Sequence, residues 1–202
     1  MKISKKIIEY CINAQIVDDD DLEIIEYGLN NLFSSLIGFV IIIIIGVVYG
    51  CFLESIVFWI LAMPLRKNAG GYHAKGRITC NIISALSIMI MFWIYFKINI
   101  SWSILHIITI IFILFIFCFS PVESMSKPLE KIEYIVYRRR TRITLVCESI
   151  FYILVNYLHW KNLCKVTSMS IVVVGISLIA GHISLKKTNV QNLQSKSEGE
   201  DK

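Results

Sequence analysis

Charge is scarce in this sequence, and what there is stands in blocks. Asp, Glu, Lys and Arg make up 17% of the 202 residues, against 56% hydrophobic residues and a mean hydropathy of +0.67. A soluble domain spreads charge along one face of each amphipathic element, so this composition excludes that class. The first thirty residues hold Lys2, Lys5, Lys6 and Asp18 to Asp21, with no apolar run long enough for the core of a cleavable leader. A dense disulfide framework is also missing. The six cysteines are scattered: Cys11, Cys118 and Cys147 lie in or beside apolar stretches and read as buried thiols, while a Cys51–Cys164 bridge is left open. No Cys/His cluster has metal-ligand spacing, so no metal or cofactor is expected. No internal repeat is present, which removes the usual sign of a transporter. Nucleic acid is not an expected partner.

What is present is oil, in lengths suited to a bilayer. Isolated strands cannot satisfy their backbone in lipid, so the fold class expected is an all-α integral membrane protein. Residues 3–16 place Ile3, Ile7 and Cys11 on one stripe with lysines opposite, which predicts an amphipathic interfacial helix. It anchors the chain or docks a partner's own amphipathic segment. The run from Phe33 to Met63 exceeds the about 20 residues of one crossing, and Gly46, Gly50 and Glu54 mark a break. About six transmembrane helices follow: 31–48, 51–65 (short enough for a tilted or re-entrant path), 79–97, 101–120, 143–160 and 166–185. The organisation expected is an interfacial region over 1–30, a helical membrane domain over 31–185, and a disordered polar tail over 186–202. Lys and Arg concentrate in the 66–80 and 121–142 loops, which puts both loops and both termini on the cytoplasmic side of a cell membrane.

The 66–80 loop carries the chemistry. AGGYHAKGRITC, residues 69–80, holds His73 and Cys80 seven residues apart. On a continuous helix that spacing separates them by about 10 Å. Gly70, Gly71 and Gly76 argue against a continuous helix and let His73 fold back over one that begins near Ile78 or Thr79. Cys80 then stands in a first helical turn, where free amides, the helix dipole and a neighbouring imidazolium all favour a thiolate. A thiolate nucleophile with a histidine base is the pairing of covalent acyl transfer. Gly70 and Gly71 permit close substrate approach and offer amides to an oxyanion. No residue is secure as an orienter for His73; Glu123 and Asn81 are within reach, and Glu54 is on the opposite side.

Arg66, the string Gly70-Gly71-Tyr72-His73-Ala74 and Cys80 together resemble the signature of the AgrB family (accessory gene regulator protein B). The second polar loop is similar too, with Ser120-Pro121-Val122-Glu123 and then Lys127-Pro128-Leu129, as is Tyr27-Gly28-Leu29 before the first span. The resemblance covers roughly residues 1–185. It implies a membrane cysteine endopeptidase that removes the C-terminal tail of a small quorum-sensing propeptide and supports its closure to a thiolactone or lactone. It also implies Cys80 as nucleophile, His73 as base, and a homodimer. Family propeptides carry an acidic tail, for which Arg138, Arg139, Arg140 and Arg142, with Arg66, are candidate contacts. The same arginines serve equally to hold their loop inside and to attract anionic lipid. The rival readings are a peptide exporter or permease without covalent chemistry and a non-catalytic partner-binding membrane protein. The sequence names neither the propeptide nor its cleavage site.

Overall fold

The computed structural model describes residues 22–71, 77–98, 100–122 and 130–200, and the expected interfacial helix at 3–16 lies outside them. Six helices account for most of the described chain: α1 Leu22–Tyr49, α2 Phe52–Ala69, α3 Arg77–Lys97, α4 Trp102–Phe119, α5 Lys131–Tyr157 and α6 Lys161–Glu200. The described residues contain no strand, only an isolated parallel bridge between Gly70 and Val122. Two compact units divide the chain, Met1–Ile41 and Ile42–Lys202.

The helices stop where local chemistry makes them stop. At the end of α1, Gly50 adopts φ +69, and its amide donates to the Val47 carbonyl at 3.1 Å. The Cys51 amide donates to the Gly46 carbonyl at 2.8 Å, completing a Schellman turn around the glycine. The long apolar run therefore breaks at Gly50–Cys51, and the missing Cβ of Gly46 leaves room for Ser55 of α2. The same turn closes α5, with His159 in the left-handed position at φ 58 instead of glycine. Its amide reaches the Asn156 carbonyl at 3.1 Å, and that of Trp160 reaches Val155 at 3.0 Å. The start of α5 is fixed by a capping box between Glu130 and Glu133.

Within Ile42–Lys202, α6 packs against α2, α3, α4 and α5. In the most apolar 18 residues of its stretch Lys161–Lys186, 67% of the residues are buried, whereas in α4, Trp102–Phe119, 17% are. α6 is thus the hub, and α4 turns most of its side chains outward. Leu65 and Ala69 of α2, Ile116 of α4, Val122, Leu145 of α5, and Ile171, Val174 and Leu178 of α6 form one buried apolar cluster. Gly175 of α6 leaves space that the Phe112 ring fills. α2 meets α3 through an edge-on Phe58–Phe92 pair with centroids 5.6 Å apart.

Among the described residues, three helices are long and apolar enough to cross a membrane: Gly28–Tyr49, Trp102–Phe119 and Lys161–Lys186; Ile82–Tyr95 is a shorter apolar helix. Isoleucine, leucine and valine side chains stand exposed along α1, α3, α4 and α5, a surface suited to lipid and not to water. This is an all-α membrane protein. The cysteine readings need correction. Cys118 and Cys147 are exposed, because an apolar stretch facing lipid buries nothing in protein; Cys51 and Cys164 are buried and free, so no bridge joins them. The helix that begins at Lys161 runs on to Glu200, with no proline to interrupt it.

Candidate active site

The two polar loops singled out in the sequence meet. α2 ends with Arg66 and Lys67 in its last turn, and Gly70 follows with φ +76, its amide donating to the Arg66 carbonyl at 3.1 Å. The next link is to the second loop, where the Val122 amide donates to the Ala69 carbonyl at 3.0 Å. A Cβ at Gly70 would collide with the carbonyl oxygen of Val122. Gly71 is buried with φ +132, and a Cβ there would lie 2.6 Å from Ser177 Oγ and 3.1 Å from the Ser177 carbonyl oxygen. Both glycines are therefore required by geometry: each holds a positive φ against a neighbouring chain. The turn they form is pressed between the Ser120–Val122 segment and α6, above the apolar cluster that contains Ala69 and Val122.

His73 lies outside the described residues. Cys80 is the fourth residue of α3, which begins at Arg77, a residue or two before the start expected from the sequence. Its backbone stands in the first turn of that helix, and its side chain is outside what the structure describes. Glu123 is likewise outside. Glu54 belongs to the first turn of α2 and accepts a hydrogen bond from Asn162 Nδ2 of α6 at 3.0 Å, a tie between the two helix starts. It is at the opposite end of α2 from Gly70.

The four arginines of the basic loop are not equivalent. All lie on α5, where Arg138 and Arg142 share a face one turn apart and are half-buried, while Arg139 and Arg140 are exposed. The Arg142 guanidinium sits 4.5 Å from the centroid of the Phe117 ring of α4. The Nε atoms of both Arg138 and Arg142 are buried without a hydrogen-bond partner. Arg142 therefore ties α5 to α4, and the pair that extends into solvent is Arg139–Arg140. Among the described residues no group of His, Cys, Asp and Glu could hold a metal ion.

A model of the family described as accessory gene regulator B matches residues 4–179. The chain belongs to the AgrB family. It is similar to the putative AgrB-like protein 2 of Clostridium perfringens (strain 13 / Type A), with 32% identity over 135 residues that span 63% of each chain. The accessory gene regulator protein B of Staphylococcus carnosus (strain TM300) is 20% identical over 151 residues, covering 75% of this chain and 77% of that protein. Protein FsrB of Enterococcus faecalis (strain ATCC 47077 / OG1RF) is 24% identical over 156 residues, 76% of this chain and 63% of that one. No solved structure matches.

In this AgrB-family chain Ser177 escaped the sequence reading, and Ser120 was read only as part of the second polar loop. Ser177 Oγ, against Gly71, and Ser120 Oγ, two residues before Val122, are both buried without a hydrogen-bond partner. Ser120 precedes a cis peptide bond to Pro121. A serine in an apolar helix such as α6 gives no sign in sequence of the loop it will touch a hundred residues upstream. The small-side-chain pattern of 166–178 was the available signal.

Proposed function

We propose that this chain is a membrane cysteine endopeptidase of the AgrB type, acting on a small propeptide of a quorum-sensing system. Cys80 is the nucleophile and His73 the base. His73 accepts the thiol proton, the thiolate adds to the carbonyl carbon of the scissile bond, and the tetrahedral adduct collapses with cleavage of the C–N bond. The departing tail takes the proton from the imidazolium as a free amine. What remains is an acyl-thioester on Cys80. An internal Cys (or Ser) of the peptide attacks it, restoring the Cys80 thiol and closing a thiolactone (or lactone). Thioester exchange is near energy-neutral, so a site at the lipid surface that excludes water favours closure over hydrolysis.

The observation that carries this reading is the position of Cys80 in the first turn of α3, next in the chain after the glycine turn held between Val122 and Ser177. Free amides and the helix dipole at such a position favour a thiolate. Arg139 and Arg140, exposed on α5, are the groups best placed to meet an acidic propeptide tail. Six crossings with both termini and the 66–80 and 121–142 loops in the cytoplasm accommodate the charge pattern, and a homodimer in a lipid bilayer is the working assembly. Cys80→Ala or His73→Ala, co-expressed with the propeptide, is expected to lower tail removal by at least about 100-fold. Undiminished cleavage in either variant overturns the assignment.

A further inference from the structure

Glu148 is the anomaly of the bundle. It lies in α5, is 3% exposed, and neither carboxyl oxygen has a hydrogen-bond partner. The nearby Ser170 hydroxyl is committed elsewhere, donating to the Thr167 carbonyl at 2.8 Å. Several other buried hydroxyls are paired, although those of Ser120 and Ser177 are not. Thr109 Oγ1 donates to the Leu105 carbonyl at 2.7 Å, so the Ser168 hydroxyl donates to Thr109 at 2.6 Å. The Tyr95 hydroxyl is then left to donate to Ser168 at 3.4 Å. His106 Nδ1 and the Tyr152 hydroxyl are 2.6 Å apart.

We propose that Glu148 is a proton-binding site inside the helix bundle, exchanging its proton through the hydroxyl and imidazole of Tyr152 and His106. A lone charge in an apolar interior is not tolerated, and a proton satisfies a carboxylate with one bond. A metal ion needs about six oxygen ligands, and the described residues hold no group of His, Cys, Asp and Glu to supply them. A purely space-filling role fits poorly, since an apolar side chain of similar volume carries no desolvation cost.

The path follows from spacing. Glu148, Tyr152 and Asn156 recur every four residues along one face of α5. Asn156 Oδ1 reaches the Cys164 thiol of α6, near the α5–α6 turn, with the sulfur 4.0 Å away. In the other direction the α5 face turns apolar at Leu145, which packs with Ile171, Val174 and Leu178. Among the described residues no charged side chain bears on Glu148. From α4 the interior receives His106, from α6 Cys164, and from α3 Tyr95 by way of Ser168. The ionisable groups of α2, Glu54, Arg66 and Lys67, stand in its first and last turns, and Arg142 on α5 is held against Phe117. The site is independent of the Cys80–His73 chemistry.

The test uses the full-length protein in phosphatidylcholine vesicles treated with dicyclohexylcarbodiimide, which modifies protonated carboxyls in apolar surroundings. Adducts are mapped by peptide mass spectrometry. The expected result is an adduct on Glu148, absent in Glu148→Gln, whose yield falls at least about tenfold between about pH 6 and about pH 10. Tyr152→Phe is expected to slow the response of labelling to a pH jump without changing its final level. The proposal is overturned by no adduct at any pH, by a yield independent of pH, or by suppression with sodium at fixed pH, which would assign the site to a metal cation. Labelling of the wild type decides the matter even where Glu148→Gln fails to fold.

Discussion

Gly71→Ala probes the site with a magnitude that follows from the geometry. Alanine at φ +132 costs about 1–3 kcal/mol of backbone strain. Its Cβ would also lie 2.6 Å from Ser177 Oγ, and overpacking of this kind adds about 1–3 kcal/mol. The sum is about 2–6 kcal/mol, or a fall in midpoint of roughly 5–20 °C at the scaling of a 200-residue protein. The two parts separate experimentally. Ser177→Ala removes the obstructing oxygen and also a buried hydroxyl without a partner, so alone it is neutral or slightly stabilising. In Gly71→Ala/Ser177→Ala it should return part of that about 1–3 kcal/mol, leaving the backbone strain and the close Ser177 carbonyl oxygen at 3.1 Å. At Gly70 no such rescue exists, because the obstruction is the backbone carbonyl of Val122. The assay is a thermal unfolding scan of the four proteins in one lipid or detergent condition, read beside propeptide cleavage. A Gly71→Ala protein as stable as wild type, or a double variant no better than the single, refutes the reasoning.

Four further outcomes follow from particular residues. His159 holds a left-handed conformation at the end of α5, so His159→Gly should raise stability by about 1 kcal/mol in a thermal scan. Thr109→Val strands the Ser168 hydroxyl and should cost about 1–3 kcal/mol in the same scan. Reversing charge at Arg139 and Arg140 should reduce processing of an acid-tailed propeptide while leaving stability unchanged. Arg142→Gln should instead lower stability by about 0.5–2 kcal/mol through loss of its stacking on Phe117.

Much of this was legible in the chain because hydropathy and glycine act locally. The break after Gly50 and the start of α3 just before Cys80 are read from residues that create them. Membrane class follows from apolar length alone. Contacts between distant segments were not legible. Nothing in the sequence ties Val122 to Ala69, or Ser177 to Gly71, since each is a backbone or small-side-chain contact without a charge or motif to announce it. The arginine cluster read as one patch, yet a helix turns successive residues by about 100°, and so Arg138 and Arg142 part company from Arg139 and Arg140. Hydropathy likewise made α4 and α6 look alike, although one faces outward and the other is the hub. Glu148 was passed over although it stands inside the span expected at 143–160, where an acid is itself a signal.

The central claim is that Cys80 forms a covalent acyl intermediate with the propeptide. A propeptide whose cyclising Cys is replaced by Ala has no internal nucleophile, so the intermediate should accumulate. Peptide mass spectrometry of the purified enzyme is then expected to find the N-terminal part of the propeptide on Cys80, in a linkage cleaved by hydroxylamine and missing in His73→Ala. Release of the tail by a Cys80→Ala protein, with no adduct on the wild type, would contradict the account.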